Sequence, residues 1–380
     1  MGRKKRLANI ELLRALAMMM VVVMHFLRES GGLLPEQPFL SGDVTAGVFP
    51  AASTKQLIGT FLEAFCIMAV NAYVFISGYL GEKKEFRISR EVIFLARLWF
   101  YSLLIPPVLL FFGYPTLYGE MGIYGLVQYL LPIETESYWF ATSFFGLMLL
   151  QPILNGAAER LTKAQFQKIL FFLLLIFCGI KSICPVPLAT DRYGYDLSWF
   201  VCVYLTAAYL RLYGSEKLRR HGFALYTGSC LAVFGVTMAL WRLLPYFPQA
   251  AYYYTVPFHY NFVFCLLGAA GLFYGFMRIK IKEGWKADII RKIGSYSFGI
   301  YLFHEHPDLR HLWYPFLKKI INPAGKDDVF LFLAELVFCL VVLYAAGLFL
   351  EWIRDILFGR MKAVYRLVLK KRKKAAGVTK

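Results

Sequence analysis

The chain has 380 residues, of which 59% are hydrophobic and only 17% charged, and its mean hydropathy is +0.54. Soluble domains average about 45–50% apolar and about 25% charged residues, so this composition excludes a soluble globular enzyme, a disordered chain and a secreted disulfide scaffold. Lysine and arginine number 42 against 24 acidic residues, a net charge of +18. In so apolar a chain that excess points to membrane topology and anionic lipid headgroups, with no nucleic-acid partner.

A membrane-crossing helix takes about 20 mainly apolar residues. In chain order the candidates are 10–27, 58–80, 92–112, 138–154, 168–184, 197–212, 223–244, 258–277, 293–306 and 329–353. The ninth is short and carries His304, Glu305 and His306. The apolar stretch Tyr124–Leu131 is too short to cross and reads as an interfacial segment. Cys66, Cys178, Cys202, Cys230 and Cys339 sit inside apolar runs, and none of the seven cysteines forms a zinc-like spacing, so they read as small buried hydrophobes and no metal is expected.

Charge parity decides the ninth span. With ten spans and an inside N-terminus, the inside loops 81–91, 155–167, 213–222 and 278–292 hold 15 Lys/Arg, against 7 in the longer outside loops. Met1–Asn9 adds four basic residues and the segment from Arg354 adds ten, ending in Lys370-Lys371-Arg372-Lys373-Lys374. Both termini should therefore be cytoplasmic and the span count even. The expectation is an all-α polytopic bundle of about ten transmembrane helices, with a membrane domain over 1–353 and a basic cytoplasmic tail over 354–380. Met1–Leu27 has a basic start and an apolar core, but Arg14 interrupts that core and no small-x-small site follows, so it reads as a retained span and not a signal peptide. No soluble domain is evident in the loops, and no internal repeat of the kind that builds inverted-repeat transporters is visible.

Charges inside a bilayer cost about 2.5–3.5 kcal/mol each on insertion scales and so mark function or a buried pair. The first span holds Glu11, Arg14 and His25. At about 100° per residue, Arg14 and His25 lie only about 20° apart around the helix and about 16 Å apart along it. Glu11 is one turn below Arg14 on the same stripe and in reach of it. The topology puts Arg14 near the cytosol and His25 near the outer face. Two readings stand for each: arginines near a helix end also snorkel to headgroups, and histidines also mark the interface.

Other spans supply residues at the same two depths. Arg97 and the loop cations Lys83, Lys84, Arg87 and Arg90 lie near the inner face, where guanidinium and ammonium groups suit a phosphate-bearing ligand; ordinary positive-inside bias accounts for the loop residues equally well. Near the outer face are Glu63, His259, His304, Glu305, His306 and Glu335, and histidine with carboxylate at one depth is what general acid–base chemistry needs. The aromatic outer loop from Pro245-Tyr246-Phe247 through Tyr252-Tyr253-Tyr254 to Tyr260 offers sugar-stacking rings or, on the more economical reading, an interfacial aromatic belt. No phosphate-binding loop, dinucleotide fingerprint, zinc-protease helix or Gly-x-Ser-x-Gly elbow occurs.

Asn9-Ile10-Glu11-Leu12-Leu13-Arg14-Ala15-Leu16-Ala17, followed by Val21-Val22-Val23-Met24-His25, resembles the opening helix of the acyltransferase-3 membrane family, whose signature is an Arg, ten residues, then a His. Val74-Phe75-Ile76-Ser77-Gly78-Tyr79 is similar to the family's aromatic-x-x-Ser-Gly element, with Tyr73 or Val74 where paired aromatics are usual. Trp139-Phe140 leading to Pro152, and Ile293-Gly294-Ser295-Tyr296-Ser297-Phe298-Gly299-Ile300-Tyr301-Leu302-Phe303-His304, complete the resemblance in the expected order. Glu11 stands where Asp is more usual. The resemblance implies a bacterial plasma-membrane enzyme that moves an acyl group, usually acetyl from acetyl-CoA, to a hydroxyl of an extracytoplasmic glycan or lipid-linked glycan. On that reading His25 is base or acyl carrier, Arg14 and Arg97 hold the donor's phosphates, and Glu305 or Glu63 orients the imidazole. The rival from another class is a polysaccharide exporter or other transporter, which should show broken helices in both halves. A third reading, a structural or receptor-like protein, leaves the charged stripe of the first span without a task.

Overall fold

The computed structural model describes residues 5–35, 51–81, 88–214, 216–247 and 251–375, with side chains to Met361. All regular structure among them is helical, so the backbone satisfies its own polar groups within each segment, as a hydrocarbon environment requires. Eight helical segments are long and apolar enough to cross a membrane. They are α1 (Ala8–Glu29), α2 with α3 (Thr54–Cys66 and Ala69–Tyr79), α4 (Ile88–Phe111) and α7 (Trp139–Arg160). The rest are Lys163–Ile183 (α8, Lys163–Leu174, a π turn over Leu175–Gly179, and α9, Ile180–Ile183), α12 (Gly222–Leu243), α13 (Val263–Met277, entered through a 3-10 turn) and α16 (Val329–Ala375). Short helices α5 (Leu117–Met121) and α6 (Ile123–Leu130) form the segment expected at the interface, while α11 (Glu216–Arg220) and α15 (Trp313–Ile321) sit in loops. The two remaining sequence candidates are α10 (Leu197–Tyr213), 17 residues long, and α14 (Trp285–His304).

The elements follow from local chemistry. Ser53 and Gln56 close a capping box at the start of α2, and Thr162 and Gln165 do the same for α8. The second expected span is two helices, broken at Ile67–Met68. Asn71, fully buried just past the break, donates to the Tyr260 carbonyl (2.7 Å) and accepts from the Trp199 indole (2.9 Å), tying α3 to α10 and to the start of α13.

Two boundaries differ from the sequence expectation. Helix α14 starts at Trp285, not 293, just after Gly284 at φ +142°, because its first turns are held by charge rather than by hydropathy: Arg291 pairs with Asp288 (2.8 Å) and with Glu283. The basic segment after residue 353 is helical, since α16 runs unbroken to Ala375. Its 47 residues span about 70 Å, more than twice the roughly 30 Å hydrocarbon core.

The bundle has a buried inner set and a rim. The apolar window of α1 is 67% buried and that of the α13 span 78%, against 22% for α12 and α16, whose remaining surfaces are the apolar faces presented to lipid. Helix α1 packs along α14 and also meets α2, α3, α13 and α16. Small residues permit the closest approaches. A Cβ on Gly294 would meet the backbone of Glu11, and one on Gly299 would run into the Glu351 side chain, so α14 lies tight against α1 on one side and α16 on the other. That sandwich brings the C-terminal end of α14, Tyr301 to Glu305, beside the C-terminal end of α1.

Candidate active site

At the C-terminal ends of α1 and α14, His25 and His304 face each other with ring centroids 5.1 Å apart and Nδ1 of His25 2.9 Å from Nε2 of His304. Glu305, the residue that ends α14, brings Oε1 to 3.1 Å from the same Nδ1. The second nitrogen of His304 resolves the proton positions. Its Nδ1 lies 2.6 Å from the Ile300 carbonyl, which can only accept, so Nδ1 of His304 carries a proton and donates. In the neutral ring Nε2 is then a lone pair, and Nδ1–H of His25 must be the donor toward it and toward the Glu305 carboxylate. The proton on Nδ1 leaves Nε2 of His25 as the free basic nitrogen. Two acceptors thus fix tautomer and ring orientation, as a carboxylate does for the histidine of a serine-protease triad.

The three side chains also present ligand atoms within 4.8 Å of one another, a donor set of the kind zinc takes. Two ligands at about 2.05 Å on a tetrahedral zinc would sit about 3.3 Å apart. The observed 2.9 and 3.1 Å share one nitrogen and are hydrogen-bond separations.

The other expected residues fall into separate groups. Arg14 pairs with Glu11, which Arg6 also approaches at 3.4 Å, and its carbonyl accepts from the Tyr73 hydroxyl (2.6 Å). Arg6, just before α1, and Arg14 together outnumber the one buried carboxylate, which leaves a net positive charge around the start of α1, with Arg14 about 16 Å from His25 along the helix. Arg97 does not stand free. It donates to Glu351 (2.6 Å) and to the Ser295 carbonyl (3.3 Å), and Glu351 also accepts a bidentate Arg354 (2.9 and 2.8 Å) and the Tyr101 hydroxyl (3.0 Å). Glu351 is fully buried, so this carboxylate is what permits two guanidinium groups in the same place. Arg90 donates to Gln151 (2.6 Å), while Lys83, Lys84 and Arg87 lie outside the described residues.

The outer-face acids and histidines do not converge on one point. Glu63 lies near Cys66, Tyr260 and Cys265. The His259 ring lies 4.3 Å from that of Tyr193, tilted by 37°, and Glu335 accepts from Tyr314 (2.9 Å) and Asn322 (2.8 Å). His306 packs between Tyr129 and Tyr138 and accepts from the Asp308 amide (3.1 Å). Burial raises the Asp308 carboxyl above its ordinary value, against the pull of the Leu117 amide and the Tyr129 hydroxyl. In the aromatic loop, Tyr246 and Phe247 are exposed while Tyr260 is packed inside on Trp139 (5.6 Å) and Tyr195 (4.8 Å).

Sequence reasoning placed His304 at the right depth without naming it among the site residues. Spacing on one helix reveals which residues share a stripe; it says nothing of which way a helix 279 residues later is turned. Cavities of about 160 Å³, at Lys55, Lys318 and Glu335, and about 230 Å³, at Tyr253 and Phe262, lie away from the histidine pair.

The family model described as an acyltransferase domain, that of the acyltransferase-3 family, matches residues 7–352. No curated protein and no solved structure matches the chain at a significant level. The match runs from the residue that precedes α1 to the residue after Glu351, taking in Arg14, Arg97 and the histidine pair. The chain is a membrane acyltransferase and belongs to the acyltransferase-3 family.

Proposed function

We propose that the protein transfers an acyl group, acetyl in the simplest case, from cytoplasmic acyl-CoA to a hydroxyl of an extracytoplasmic glycan or lipid-linked glycan. The membrane would be a bacterial plasma membrane, with both termini in the cytosol. One observation carries the reading: a histidine whose Nδ1 is held by His304 and Glu305 and whose Nε2 is free, on the same helix as a cationic cluster one bilayer leaflet away. The donor's phosphates dock on the Arg14 side, where guanidinium groups give charge-assisted bonds. Arg97 contributes through the residual positive charge of its cluster with Arg354 and Glu351 more than as an open fork. The pantetheine arm then rises along α1 and α14, past Phe298 and Phe140, to bring the thioester to His25.

There Nε2 of His25 takes the proton of the acceptor hydroxyl, and the oxygen attacks the thioester carbon. Glu305 and His304 stabilise the imidazolium as it forms. When the tetrahedral intermediate collapses, the C–S bond breaks and the thiolate leaves with the proton returned by His25. An acyl-histidine would form on the same nitrogen, and a rapid quench with labelled donor and no acceptor distinguishes the two routes by whether label stays on the protein.

The test uses protein in nanodiscs with acetyl-CoA labelled on the acetyl group. Loss of label and release of CoA by the intact protein, abolished in His25→Ala with the fold retained, is the expected result. Full turnover in the variant removes His25 from the reaction. Absence of donor binding and turnover in the intact protein removes the donor assignment.

A further inference from the structure

We infer that the amino-terminal end of α7 and the hydroxyl of Tyr301 form an oxyanion subsite beside the histidine pair, one that receives the thioester carbonyl oxygen as it becomes negative. The inference rests on the acyl-transfer reading above and goes beyond it by naming the groups that bear the developing charge.

Helix α7 begins at Trp139 with its N-terminus inside the protein: Tyr138 and Ala141 are buried, and the N-cap residue offers no side-chain cap. Its first cap-side bond runs from the Thr142 amide to the Tyr138 carbonyl (3.0 Å). The amides of Trp139, Phe140 and Ala141 precede it and have no acceptor within the helix. A buried, uncapped N-terminus of a 22-residue helix is a concentration of positive partial charge.

A helix end alone would carry little. Tyr301 supplies the independent observation. It is 4% exposed, and its hydroxyl has no hydrogen-bond partner among the described residues. The ring sits edge-on to Phe140 (5.7 Å) and to His304 (6.3 Å) and lies 6.0 Å from Tyr138. The amide of Phe140 is directed at the same phenolic oxygen without completing a hydrogen bond. Neighbouring buried tyrosines show what is unusual here. Tyr138 donates to the Leu302 carbonyl (3.2 Å), Tyr101 to Glu351 (3.0 Å) and Tyr73 to the Arg14 carbonyl (2.6 Å). Each has an acceptor, whereas Tyr301, one turn before His304 on α14, holds a donor toward nothing. Buried polar groups are nearly always paired, so an orphan donor against a reacting histidine is explained by a partner that arrives with the substrate.

The chemistry is balanced. Attack of the acceptor oxygen on the thioester carbon moves the C=O π pair onto oxygen, and the attacking hydroxyl's proton passes to His25. The new oxyanion accepts from the Tyr301 O–H and from the α7 first turn, and Tyr301 keeps its proton throughout. Collapse restores C=O, breaks C–S and sends the electron pair to sulfur, which is protonated by His25. Because the hydrogen bond is strongest to the charged oxygen, it acts on turnover and not on donor binding.

Tyr301→Phe removes the hydroxyl and keeps the ring. In full-length protein in nanodiscs, with acetyl-CoA as donor, kcat should fall about 10²–10³-fold, the loss typical of one oxyanion donor. Donor affinity, read by equilibrium binding of acetyl-CoA, should be unchanged, and the thermal midpoint unchanged or raised, since an unpaired buried hydroxyl has been removed. A variant with kcat within twofold of the intact protein overturns the inference. So does one that loses donor affinity at constant kcat, or one that no longer folds, because either result gives the hydroxyl a binding or structural partner. Failure of the parent reading looks different: the intact protein itself shows no donor turnover, and the inference falls with it.

Discussion

Glu305→Gln tests whether the carboxylate at the end of α14 contributes charge or merely an acceptor. Its Oε1 is 3.1 Å from Nδ1 of His25, and the side chain is 15% exposed. When His25 takes a proton, the new positive charge faces the carboxylate at that separation. An effective dielectric of ~20 makes the bare attraction about 5 kcal/mol. Glutamine retains the shape and an oxygen acceptor for N–H, so the loss is smaller and corresponds to the charge-assisted part of one hydrogen bond, about 1.5–3 kcal/mol. That converts to a fall in kcat of about 10- to 150-fold. Donor KM should not move, because the phosphate-binding end lies about 16 Å away along α1. Single-turnover release of CoA from labelled acetyl-CoA in nanodiscs gives kcat, and a donor titration gives KM. An unchanged kcat, or a rise in KM at constant kcat, would refute the electrostatic role assigned to Glu305. Glu305→Ala should lie lower again, since Nδ1 then has only His304 to fix its tautomer.

Arg14→Lys keeps the charge beside Glu11 but loses the planar fork, so donor Kd should rise about tenfold with kcat held, as read by acetyl-CoA binding; unchanged affinity would make Arg14 structural. Glu351→Ala leaves Arg97 and Arg354 facing each other without their buried anion and should cost about 3–5 kcal/mol by denaturant unfolding in detergent; an unchanged unfolding midpoint would remove the carboxylate as the clamp of the cluster. Asp308 sets a pH dependence whose sign follows from its raised carboxyl. The folded state holds more protons than the unfolded one between the ordinary value of 3.8 and the raised value, so stability falls as pH rises through that window and is level above it. Thermal midpoints of Asp308→Asn should show a shallower fall over the same window, and an identical slope would remove Asp308 as its origin.

Much of the architecture was legible before any coordinates because a bilayer imposes length and polarity on each helix separately. Hydropathy found all the long apolar helices, and the eleven-residue spacing of Arg14 and His25 fixed their common stripe because both belong to one rigid helix. The boundaries misjudged were those governed by charge or continuity. The start of α14 is stabilised by Asp288 and Arg291 inside a polar stretch that a hydropathy reading discards, and α16 stays helical through the basic residues that follow its apolar run.

Depth could be read residue by residue; azimuth could not. The sequence offered Glu305 or Glu63 as the carboxylate beside His25 without deciding between them; among the described residues Glu305 and His304 meet His25, because Gly294 and Gly299 let α14 settle close against α1 and α16 in one rotation. Arg97 looked like a free cation until its carboxylate, 254 positions away, came into view. Tyr301 and the first turn of α7 lie in runs that the resemblance singled out, yet their role was not legible there, since an unpaired hydroxyl and an uncapped helix end are defined by what fails to surround them. Composition and periodicity therefore determined the class of molecule and the reactive stripe of its first helix. Helix packing alone decided which partners that stripe received, because a hydrogen bond is settled by angstroms between helices that the chain brings together only once folded.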